Sequence, residues 1–393
     1  MPKIADEKVA IMVDEYRHPT QTFIDRHIQE LFGGNSVVIC NRKNGKGFVG
    51  KPYFCRSEQN FEFSDLLRYP LEHASNLYRF SSNRTIAGTK RIKLERFLLS
   101  EGVTKILVEL GQYGPDVFPI ARSLNIPVFV YFRGYDATGY LCAGRRQSRR
   151  TRALEIMFKN VSGIFSVSRF LLDELAKHGL EHPNSYVVPS GVDTSRFAPG
   201  KKRTGTVLAV GRLVEKKAPE ITIRSFLKAS ADLPDARLEI IGDGPLMDAC
   251  RSLAQSHRDG NKKIVFHGER PHDFVRQRQA ECDIFAQHSV TAKNGDQEGA
   301  PTAIQEAMSC GAAILSTRHA GIPYIVEEGK AGYLVNEFDE DEFVDRLRTM
   351  LTNPDVSRAF GSYAREYALE NFDYKKLYAK VESIISGESA RPA

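Results

Sequence analysis

Short apolar runs alternate with amphipathic helical stretches along almost the whole chain, and this alternation constrains the fold more than any other feature of the sequence. The first half contains the runs KVAIMV, NSVVIC, KILVEL, IPVFVYF, GIFSVS and SYVVPS. They are rich in Val, Ile and Phe and too short for helices, so each predicts a buried strand. Strands that alternate with helices are typical of βαβ units. The chain is therefore predicted to be an α/β protein.

A second series of strands begins near residue 206, with the runs TVLAVG, ARLEIIG, KIVFHG, DIFAQ, AAILST and GYLV. Residues 189–205, between the two series, are rich in Pro, Gly and Ser and indicate an interdomain linker. We predict two doubly wound domains, residues 1–195 and 196–365, with a ligand in the cleft between them at the carboxyl ends of the strands. Residues 366–393 are predicted to form a C-terminal helix that packs back on the first domain and ends in a frayed tail.

The cysteines and the apolar content narrow the class of protein. The chain has 393 residues and six cysteines, no two of them within four positions, so no zinc-type or redox CxxC pair exists. Scattered cysteines fit a reducing compartment. The N-terminus lacks the apolar stretch of a signal peptide, and no run reaches the roughly 18 apolar residues of a membrane span. These features predict a cytoplasmic protein.

The segment EGAPTAIQEAMSCGAAILST, residues 298–317, contains the strongest candidate binding element. Pro301 suits the first position of a helix and Gly311 the residue just past its end, which predicts a helix of about ten residues. Glu298 lies in the loop before this helix, and Glu306 lies near its second turn. A helix start offers backbone N–H groups to a phosphate or to sugar hydroxyls. As a bare spacing, however, the two glutamates also fit an ordinary surface helix.

The segment AVGRLVEKKAPEITIRSFLKA supplies two cations at a strand–helix corner. A buried strand ends at Gly211, and Arg212 and Lys217 follow in the turn and the first helical positions. Such cations can neutralise a diphosphate, Arg through its planar fork and Lys as a point charge. A solvated basic turn is the alternative. A tight turn in LEIIGDGPL, beginning at Gly242, follows the next strand.

Together these motifs resemble the donor-binding domain of the large retaining glycosyltransferase family often called family four, which has the two-domain GT-B fold. GRLVEKKA, GDGP, EGAPTAIQE and AGIPYIVEEGKAGYLV match the family pattern in order and spacing. FSVSRFLLDEL, VVPSGVDTSRFAP and HPTQTFIDRHIQEL extend the resemblance, the last of them to members that build polysaccharides. The resemblance implies two Rossmann-like domains, an acceptor-side domain first and a nucleotide-sugar-binding domain second.

The resemblance also implies roles for the matched residues. Arg212 and Lys217 would hold the donor diphosphate, Glu306 would bind the ribose hydroxyls, and Glu298 would lie against the donor sugar. The further donor-binding positions are Gly211, Gly242, Gly299, Ala300, Thr302 and, near the base, Arg270 of the GER corner. Ala218 stands where the family usually has Gly, and it is expected to restrict the turn.

The first domain contributes the loop YFRGYDAT, residues 131–138, which resembles the family's H-G-x-D loop. Arg133 and Asp136 are therefore candidate catalytic residues beside Glu298. Arg133 stands where the family usually has His, which is thought to contact the donor sugar. Because Arg stays protonated it cannot act as a base, but it can stabilise negative charge on the leaving diphosphate. The alternative is a structural Arg133 paired with Asp136 or another acid.

A retaining transfer needs an oxocarbenium-like transition state and a stabilised leaving diphosphate. Arg212, Lys217 and a helix N-terminus can absorb that charge, and no metal or other cofactor is predicted because the sequence has no DxD pair and no clustered His/Cys set. Glu298 as a covalent nucleophile is conceivable by analogy with retaining glycosidases. The resemblance instead favours front-face attack, with the leaving phosphate accepting the acceptor's proton.

The positive charge of the chain is concentrated in its first half. Residues 1–197 carry 28 Lys and Arg against 20 Asp and Glu, and residues 198–393 carry 27 against 29. The runs KRIKLER (90–96) and GRRQSRRTR (144–152) account for much of this excess. Solvated loops are the plainest explanation, followed by attraction to anionic lipid or a lipid-diphosphate acceptor. Nucleic acid is not predicted as a partner, since no supporting motif is present.

The sequence therefore predicts a metal-independent, retaining hexosyltransferase of polysaccharide or glycolipid assembly. It would use a UDP- or GDP-sugar donor and a glycan or lipid-linked acceptor, with peripheral contact to the inner face of the cell membrane. Two alternatives stay open: a nucleotide-sugar-binding protein without turnover, and another GT-B enzyme such as a sugar-nucleotide epimerase.

Overall fold

The computed structural model describes residues 7–17, 22–44, 50–82, 84–142 and 147–387. It divides the chain into two compact units, and each is built on a parallel sheet covered by helices. Unit 1 takes the residues up to Val188 and again from Tyr378, and unit 2 runs over Pro189–Leu377. The α/β architecture predicted from the alternating pattern is confirmed.

Unit 1 contains a seven-stranded parallel sheet in the order β3-β2-β1-β4-β5-β6-β7. Its strands are β1 (Val9–Tyr16), β2 (Ser36–Lys43), β3 (Tyr53–Cys55), β4 (Lys105–Val108), β5 (Val128–Phe132), β6 (Gly163–Ser166) and β7 (Ser185–Val187). The strand order reverses between β1 and β4, and such a switch point is where doubly wound sheets bind ligands.

The helices described in unit 1 lie between these strands. They are α1 (Thr22–Glu30), α2 (Asp65–Phe80), α3 (Thr89–Ser100), α4 (Gly114–Ser123), α5 (Gln147–Phe158) and α6 (Arg169–Ala176). The central strands β4, β5 and β6 are buried along almost their whole length, which explains their continuous apolar sequence.

Unit 2 repeats the arrangement with six parallel strands in the order β10-β9-β8-β11-β12-β13. The strands are β8 (Arg203–Val210), β9 (Arg237–Ile241), β10 (Ile264–Gly268), β11 (Cys282–Ala286), β12 (Ala313–Thr317) and β13 (Gly332–Val335). Here the order reverses between β8 and β11. A core that includes Val207, Phe226, Leu238, Ile284 and Phe343 joins the sheet to its helices.

The helices of unit 2 complete the second doubly wound layer. They are α7 (Pro219–Ala229), α8 (Met247–Ser256), α9 (Gly260–Lys263), α10 (His272–Glu281), α11 (Thr302–Ser309), α12 (Glu340–Thr352) and α13 (Pro354–Asn371). A last helix, α14 (Tyr374–Ser386), begins in unit 2 and supplies most of its length to unit 1.

Helix α14 is fixed to unit 1 by its side chains. The ring of Tyr378 contacts the His27 ring edge-on, with 4.7 Å between the centroids. The Glu382 carboxylate accepts the backbone N–H of Phe32 at 2.6 Å. Residues 388–393 of the predicted frayed tail lie outside the described part of the chain.

In the described part of the chain, no helix is both long enough and apolar enough to cross a membrane.

Candidate functional site

The best candidate site in unit 2 lies at the switch point of its sheet. Strands β8 and β11 are neighbours there, and the chain leaves them at Gly211 and Gln287. Both strands end at the same edge because the sheet is parallel. Gly211, Arg212, Lys217 and Gln287 line one cavity at this edge.

Two glycines allow the β8 and β9 corners to touch. Gly242 has φ +132°, and a Cβ atom at this position would collide with the carbonyl oxygen of Gly211. The Gly211 N–H donates to the carbonyl of Ile241 at 3.0 Å, and the Gly242 N–H donates to that of Gly268 at 2.8 Å. Only glycine fits such a close approach at position 242, and Gly211 takes φ +150°, a backbone conformation that other residues rarely adopt.

Lys217 and Glu298 form an ion pair inside this edge, although 81 positions separate them in the sequence. Lys217 Nζ lies 2.8 Å from Glu298 Oε1 and donates to Gln287 Oε1 at 3.1 Å. The two side chains are 17% and 8% exposed. The structure thus brings together two residues that the sequence assigned separately to the diphosphate and to the sugar.

The Glu298 carboxylate is held in its anionic form. Burial acts to raise its pKa, but the positive charges of Lys217 first and Lys216 second outweigh burial and lower the pKa to about 2. Burial in turn lowers the pKa of Lys217, and Glu298 opposes that shift. Lys216 lies in the same turn and pairs with Asp296 at 3.0 Å.

Sequence reasoning missed a second support of Glu298, which comes from His319. The backbone N–H of Glu298 donates to His319 Nε2 at 3.2 Å, and His319 Nδ1 lies 2.6 Å from Glu337 Oε1. The Nε2 acceptor role places the ring proton on Nδ1, facing Glu337. His319 lies directly before the quoted AGIPY motif, and that position is its only signal in the sequence.

Helix α11 begins one residue later than predicted. Pro301 is its N-cap, with φ −56° and ψ +118°, and the helix has eight residues instead of about ten. The extended ψ of Pro301 excludes it from the helix, so Thr302 is the first helical residue. Gly311 has φ +69° just past the helix end, as its predicted terminal role requires.

Glu306 lies on α11 and contacts α10. Its Oε1 is 3.5 Å from His272 Nε2, and its Oε2 accepts a hydrogen bond from Gln279 Nε2 at 3.4 Å. The Glu306 side chain is partly exposed. Before the helix, Gly299 and Ala300 are buried, and the Ala300 carbonyl accepts from Gln305 Nε2 at 3.1 Å.

The remaining predicted donor-binding residues differ in the exposure of their side chains. Arg212 is exposed at the cavity wall. Arg270 is also exposed, with its guanidinium 5.4 Å from the centre of the Phe274 ring. Ala218 takes φ +37° and ψ +52° at the N-cap of α7, which is the left-handed region where glycine is favoured. This backbone explains why a glycine would suit the position.

In unit 1, Arg133 is enclosed by its neighbours. Its guanidinium pairs with the Glu109 carboxylate, and Arg133 Nε donates to Glu109 Oε2 at 3.0 Å. The other carboxylate oxygen, Oε1, lies 2.6 Å from His27 Nδ1. The guanidinium also stacks 3.9 Å from the centre of the Tyr131 ring and 4.6 Å from that of Phe23. The pairing with an acid that the sequence left as an alternative is present, and the acid is Glu109.

The charges of this cluster are set by burial and pairing. Burial acts to raise the pKa of Glu109, but Arg133 and His27 lower it to about 2. Burial lowers the pKa of His27, and Glu109 opposes that shift. Glu109 directly follows β4, so this cluster also lies at a switch point.

Asp136 is a fixed part of the 131–138 loop. Its carboxylate accepts backbone N–H groups from Arg133 at 2.9 Å, Gly134 at 2.9 Å and Gly111 at 2.8 Å. Burial acts to raise the pKa of Asp136, while the three donors act to lower it. The carboxylate thus joins the β5 corner to the β4 corner.

The two basic runs lie on helices α3 and α5. Residues 90–96 fall within α3, and residues 147–152 open α5. Residues 144–146 of the second run lie outside the described part of the chain, as do residues 18–21 of the HPTQTFIDRHIQEL motif.

Among the described residues, no group of three or more His, Cys, Asp or Glu side chains is arranged to hold a metal ion.

The chain is similar in sequence to known glycosyltransferases. Residues 192–367 match the model of the family described as glycosyl transferases group 1. A GDP-mannose-dependent alpha-(1-6)-phosphatidylinositol monomannoside mannosyltransferase of Mycolicibacterium smegmatis is 30% identical over 236 residues, which are 57% of this chain and 60% of the relative. A putative colanic acid biosynthesis glycosyltransferase, WcaL of Salmonella typhimurium, is 29% identical over 71% of this chain and 70% of its own length.

A solved structure of Anabaena HepE in complex with UDP and glucose superposes with a TM-score of 0.75. It covers 97% of this chain and 100% of its own, at 16% identity. The likeness confirms the predicted GT-B fold.

Proposed function

We propose that the protein transfers a hexose from a nucleotide-sugar donor to a glycan or lipid-linked acceptor, because residues 192–367 match the model of the glycosyl transferases group 1 family. The observation that carries this proposal is the Lys217–Glu298 pair at the β8–β11 switch point. It places a cation and an anion beside the two glycine corners, where a sugar diphosphate could contact the backbone closely. The named relatives favour polysaccharide or glycolipid assembly and a UDP- or GDP-sugar.

The proposed donor site neutralises the leaving diphosphate with protein charges alone. Lys217 is held by Glu298 and Gln287, so its position is fixed before the donor binds, and Arg212 can turn toward the phosphates from the exposed wall. The first turn of α11, with Thr302, adds backbone N–H groups and the positive end of a helix dipole. Preorganised charge of this kind stabilises the transition state without a metal ion.

Glu298 is proposed to orient the donor sugar and Lys217, and not to act as a nucleophile. Its Oε1 atom already faces the Lys217 ammonium at 2.8 Å, and the low pKa marks an anion committed to that partner. Retention would then follow from front-face attack, with the leaving phosphate accepting the acceptor's proton. Glu306, partly exposed on α11, is proposed to bind the ribose hydroxyls.

In unit 1 we assign Arg133 and Asp136 to positioning. Arg133 is engaged by Glu109, and Asp136 by three backbone N–H groups, so both shape the 131–138 loop. The enzyme is proposed to be cytoplasmic and to contact the inner face of the cell membrane.

The proposal is tested by incubating the full chain with UDP- and GDP-sugars in the presence of EDTA. A matching donor should raise the melting temperature, since a ligand at 100 times its Kd stabilises by about 2.7 kcal/mol. The same donor should then be consumed when a glycan acceptor is added, and NMR of the product should show the donor's anomeric configuration.

Other outcomes would separate the alternatives. Binding without donor consumption would support a nucleotide-sugar-binding protein. Release of an epimerised free donor would support an epimerase. A covalent glycosyl adduct on Glu298 would overturn the front-face scheme.

A further inference from the structure

Helix α2 presents an apolar stripe to solvent. Leu67, Leu71 and Tyr78 are 79%, 74% and 90% exposed, and Ala74 between them is exposed as well. Their spacings of four, three and four residues place them on one face of a helix. Phe63, in the turn just before α2, is 89% exposed and extends the same stripe.

The opposite face of α2 carries polar and aromatic side chains that bind to the rest of unit 1. The Asp65 carboxylate is buried and accepts the backbone N–H of Thr89 at 2.6 Å as well as its hydroxyl. Glu72 Oε2 accepts the Gly88 N–H at 2.8 Å, and Phe80 contacts Phe118 edge-on. A surface helix normally turns its apolar side inward and its charges outward. Helix α2 instead leaves Leu67, Leu71 and Tyr78 in solvent, so its exposed stripe indicates a binding surface.

The charges beside the stripe are mostly positive. Arg68 and Arg79 are exposed, and at 100° per residue they lie about 100° and 120° from Leu67, on one flank of the stripe. Helix α5 packs against α2 and carries Arg149, Arg150 and Arg152.

The neighbouring acids are fewer than these bases. Glu62, next to Phe63, is paired with Lys93 at 2.6 Å. Helices α2, α3 and α5 together carry nine Lys and Arg against four Asp and Glu.

We propose that α2 is the surface by which the chain docks on an anionic lipid bilayer, lying in the plane of the headgroups with Leu67, Leu71 and Tyr78 inserted. An apolar stripe with an arginine flank matches an interface that is apolar below and negatively charged above. A second copy of the chain is the weaker fit, because a two-fold contact through α2 would bring the two basic surroundings together. The inference gives the membrane contact proposed above a defined surface, and it does not depend on sugar transfer.

The experiment is flotation of the full chain with phosphatidylcholine vesicles and with mixed phosphatidylcholine–phosphatidylglycerol vesicles, without donor or acceptor. The wild type should float with the mixed vesicles and much less with the neutral ones. Leu67→Glu/Leu71→Glu should lose at least about tenfold in bound fraction, because two carboxylates would enter the acyl boundary. Arg68→Gln/Arg79→Gln should weaken binding to the mixed vesicles and reduce its sensitivity to salt.

The matched control is Val265→Glu/Leu369→Glu, which makes the same change of charge at two exposed apolar residues of unit 2. It should float as the wild type does. Far-UV circular dichroism and the melting temperature establish that each variant is folded, and donor-induced thermal shift reports the proposed function separately.

Three results would overturn the inference. Equal flotation of Leu67→Glu/Leu71→Glu and the wild type would remove α2 from the contact, and absence of wild-type flotation with either vesicle would remove the lipid. A wild-type dimer that this double variant converts to a monomer would assign the stripe to a second copy of the chain.

Discussion

Each unit holds a buried acid–base pair at the switch point of its own sheet, and the two pairs differ in what surrounds them. In unit 1, Glu109 and Arg133 are 0% and 6% exposed, and His27, Tyr131 and Phe23 close around them. In unit 2, Glu298 and Lys217 are 8% and 17% exposed, and Lys217 lines a cavity at the strand ends.

This difference teaches how to tell a structural pair from a binding pair. Both carboxylates have a pKa of about 2, so the low pKa does not distinguish the two pairs. The exposure of the side chains and their remaining hydrogen-bonding capacity distinguish them. Among the described residues, the Lys217 ammonium donates a hydrogen bond to Gln287, and Glu298 Oε1 lies 2.8 Å from the same nitrogen as its counter-ion. The Lys217 ammonium of unit 2 can therefore also donate to a phosphate oxygen, whereas both side chains of the unit 1 pair are enclosed by their neighbours.

The largest effect is expected from Glu109→Gln. Removing this charge leaves the Arg133 guanidinium buried without its counter-ion, and breaking such a pair costs roughly 3–5 kcal/mol. Urea unfolding followed by circular dichroism measures the loss, and hydrogen exchange in the 105–138 region locates it. The control is Glu298→Gln, whose partner Lys217 is more exposed and should be less affected. Equal losses of unfolding free energy in the two variants would contradict the distinction between a structural pair in unit 1 and a binding pair in unit 2.

Lys217→Met is expected to act on the reaction more than on stability. Loss of one cation at the leaving diphosphate should lower the transfer rate by roughly 10²–10³-fold. The matched control Lys216→Met removes the neighbouring cation, which is paired with Asp296, and should lower the rate much less. Initial rates of donor consumption, measured at saturating donor for both variants and the wild type, test this prediction. A Lys217→Met enzyme with wild-type turnover would place the diphosphate elsewhere.

Asp116 gives unit 1 a pH dependence opposite in sign to that of the two ion pairs. Burial raises the pKa of Asp116 to about 7, and Arg84 and Arg56 only partly oppose this, at 3.5 Å and 3.8 Å from its oxygens. The folded chain thus binds a proton that the unfolded chain has lost between about pH 4 and pH 7, so stability falls as the pH rises through this window.

Asp116→Asn should therefore raise the free energy of unfolding at pH 7 by roughly 1–3 kcal/mol and flatten its pH profile between pH 4 and pH 7. Glu109 and Glu298 behave in the opposite way. Their stabilisation is complete above about pH 4.5 and is lost as the pH falls through about 2. Thermal melting between pH 2 and pH 7 tests both pH dependences. An Asp116→Asn variant that is less stable than the wild type at pH 7 would contradict the one assigned to Asp116.

Ala218→Gly is expected to have the smallest effect. Glycine relieves the left-handed backbone at this N-cap, worth roughly 1–2 kcal/mol, but it also loosens the unfolded chain by roughly 0.4–1 kcal/mol. The net gain in stability should be about 0.5 kcal/mol, with the donor affinity unchanged. Differential scanning calorimetry would show a small rise in melting temperature, and a fall would mean that the Ala218 methyl group contributes to packing.

The sequence predicted elements whose signal is local. Every apolar run became a strand, because continuous burial leaves a continuous apolar sequence. Strand β3, Tyr53–Cys55, was missed because three apolar residues are too few to predict a strand. The late start of α11 at Thr302 was missed because Pro301 suits both the N-cap and the first helical position, and only its ψ angle decides.

The sequence did not predict which residues distant along the chain would contact one another. Glu109 ends the apolar run KILVEL, and nothing in that run indicates that it meets Arg133, 24 positions later, or His27, 82 positions earlier. His319 likewise supports Glu298 through a contact made only when β12 pairs with β11. Motif spacing identified the residues of the candidate site, but the three-dimensional fold was needed to show which of them are engaged.

The split of unit 1 between the two ends of the chain determines the order in which the units can be completed during synthesis. Unit 2 is one continuous stretch, Pro189–Leu377, and all of it leaves the ribosome before Tyr378 and Glu382 do. Unit 1 must wait for α14 before the Tyr378 ring can reach His27 and Glu382 can reach the Phe32 N–H. A chain that stops a dozen residues early would therefore carry a whole second unit and an unfinished first one.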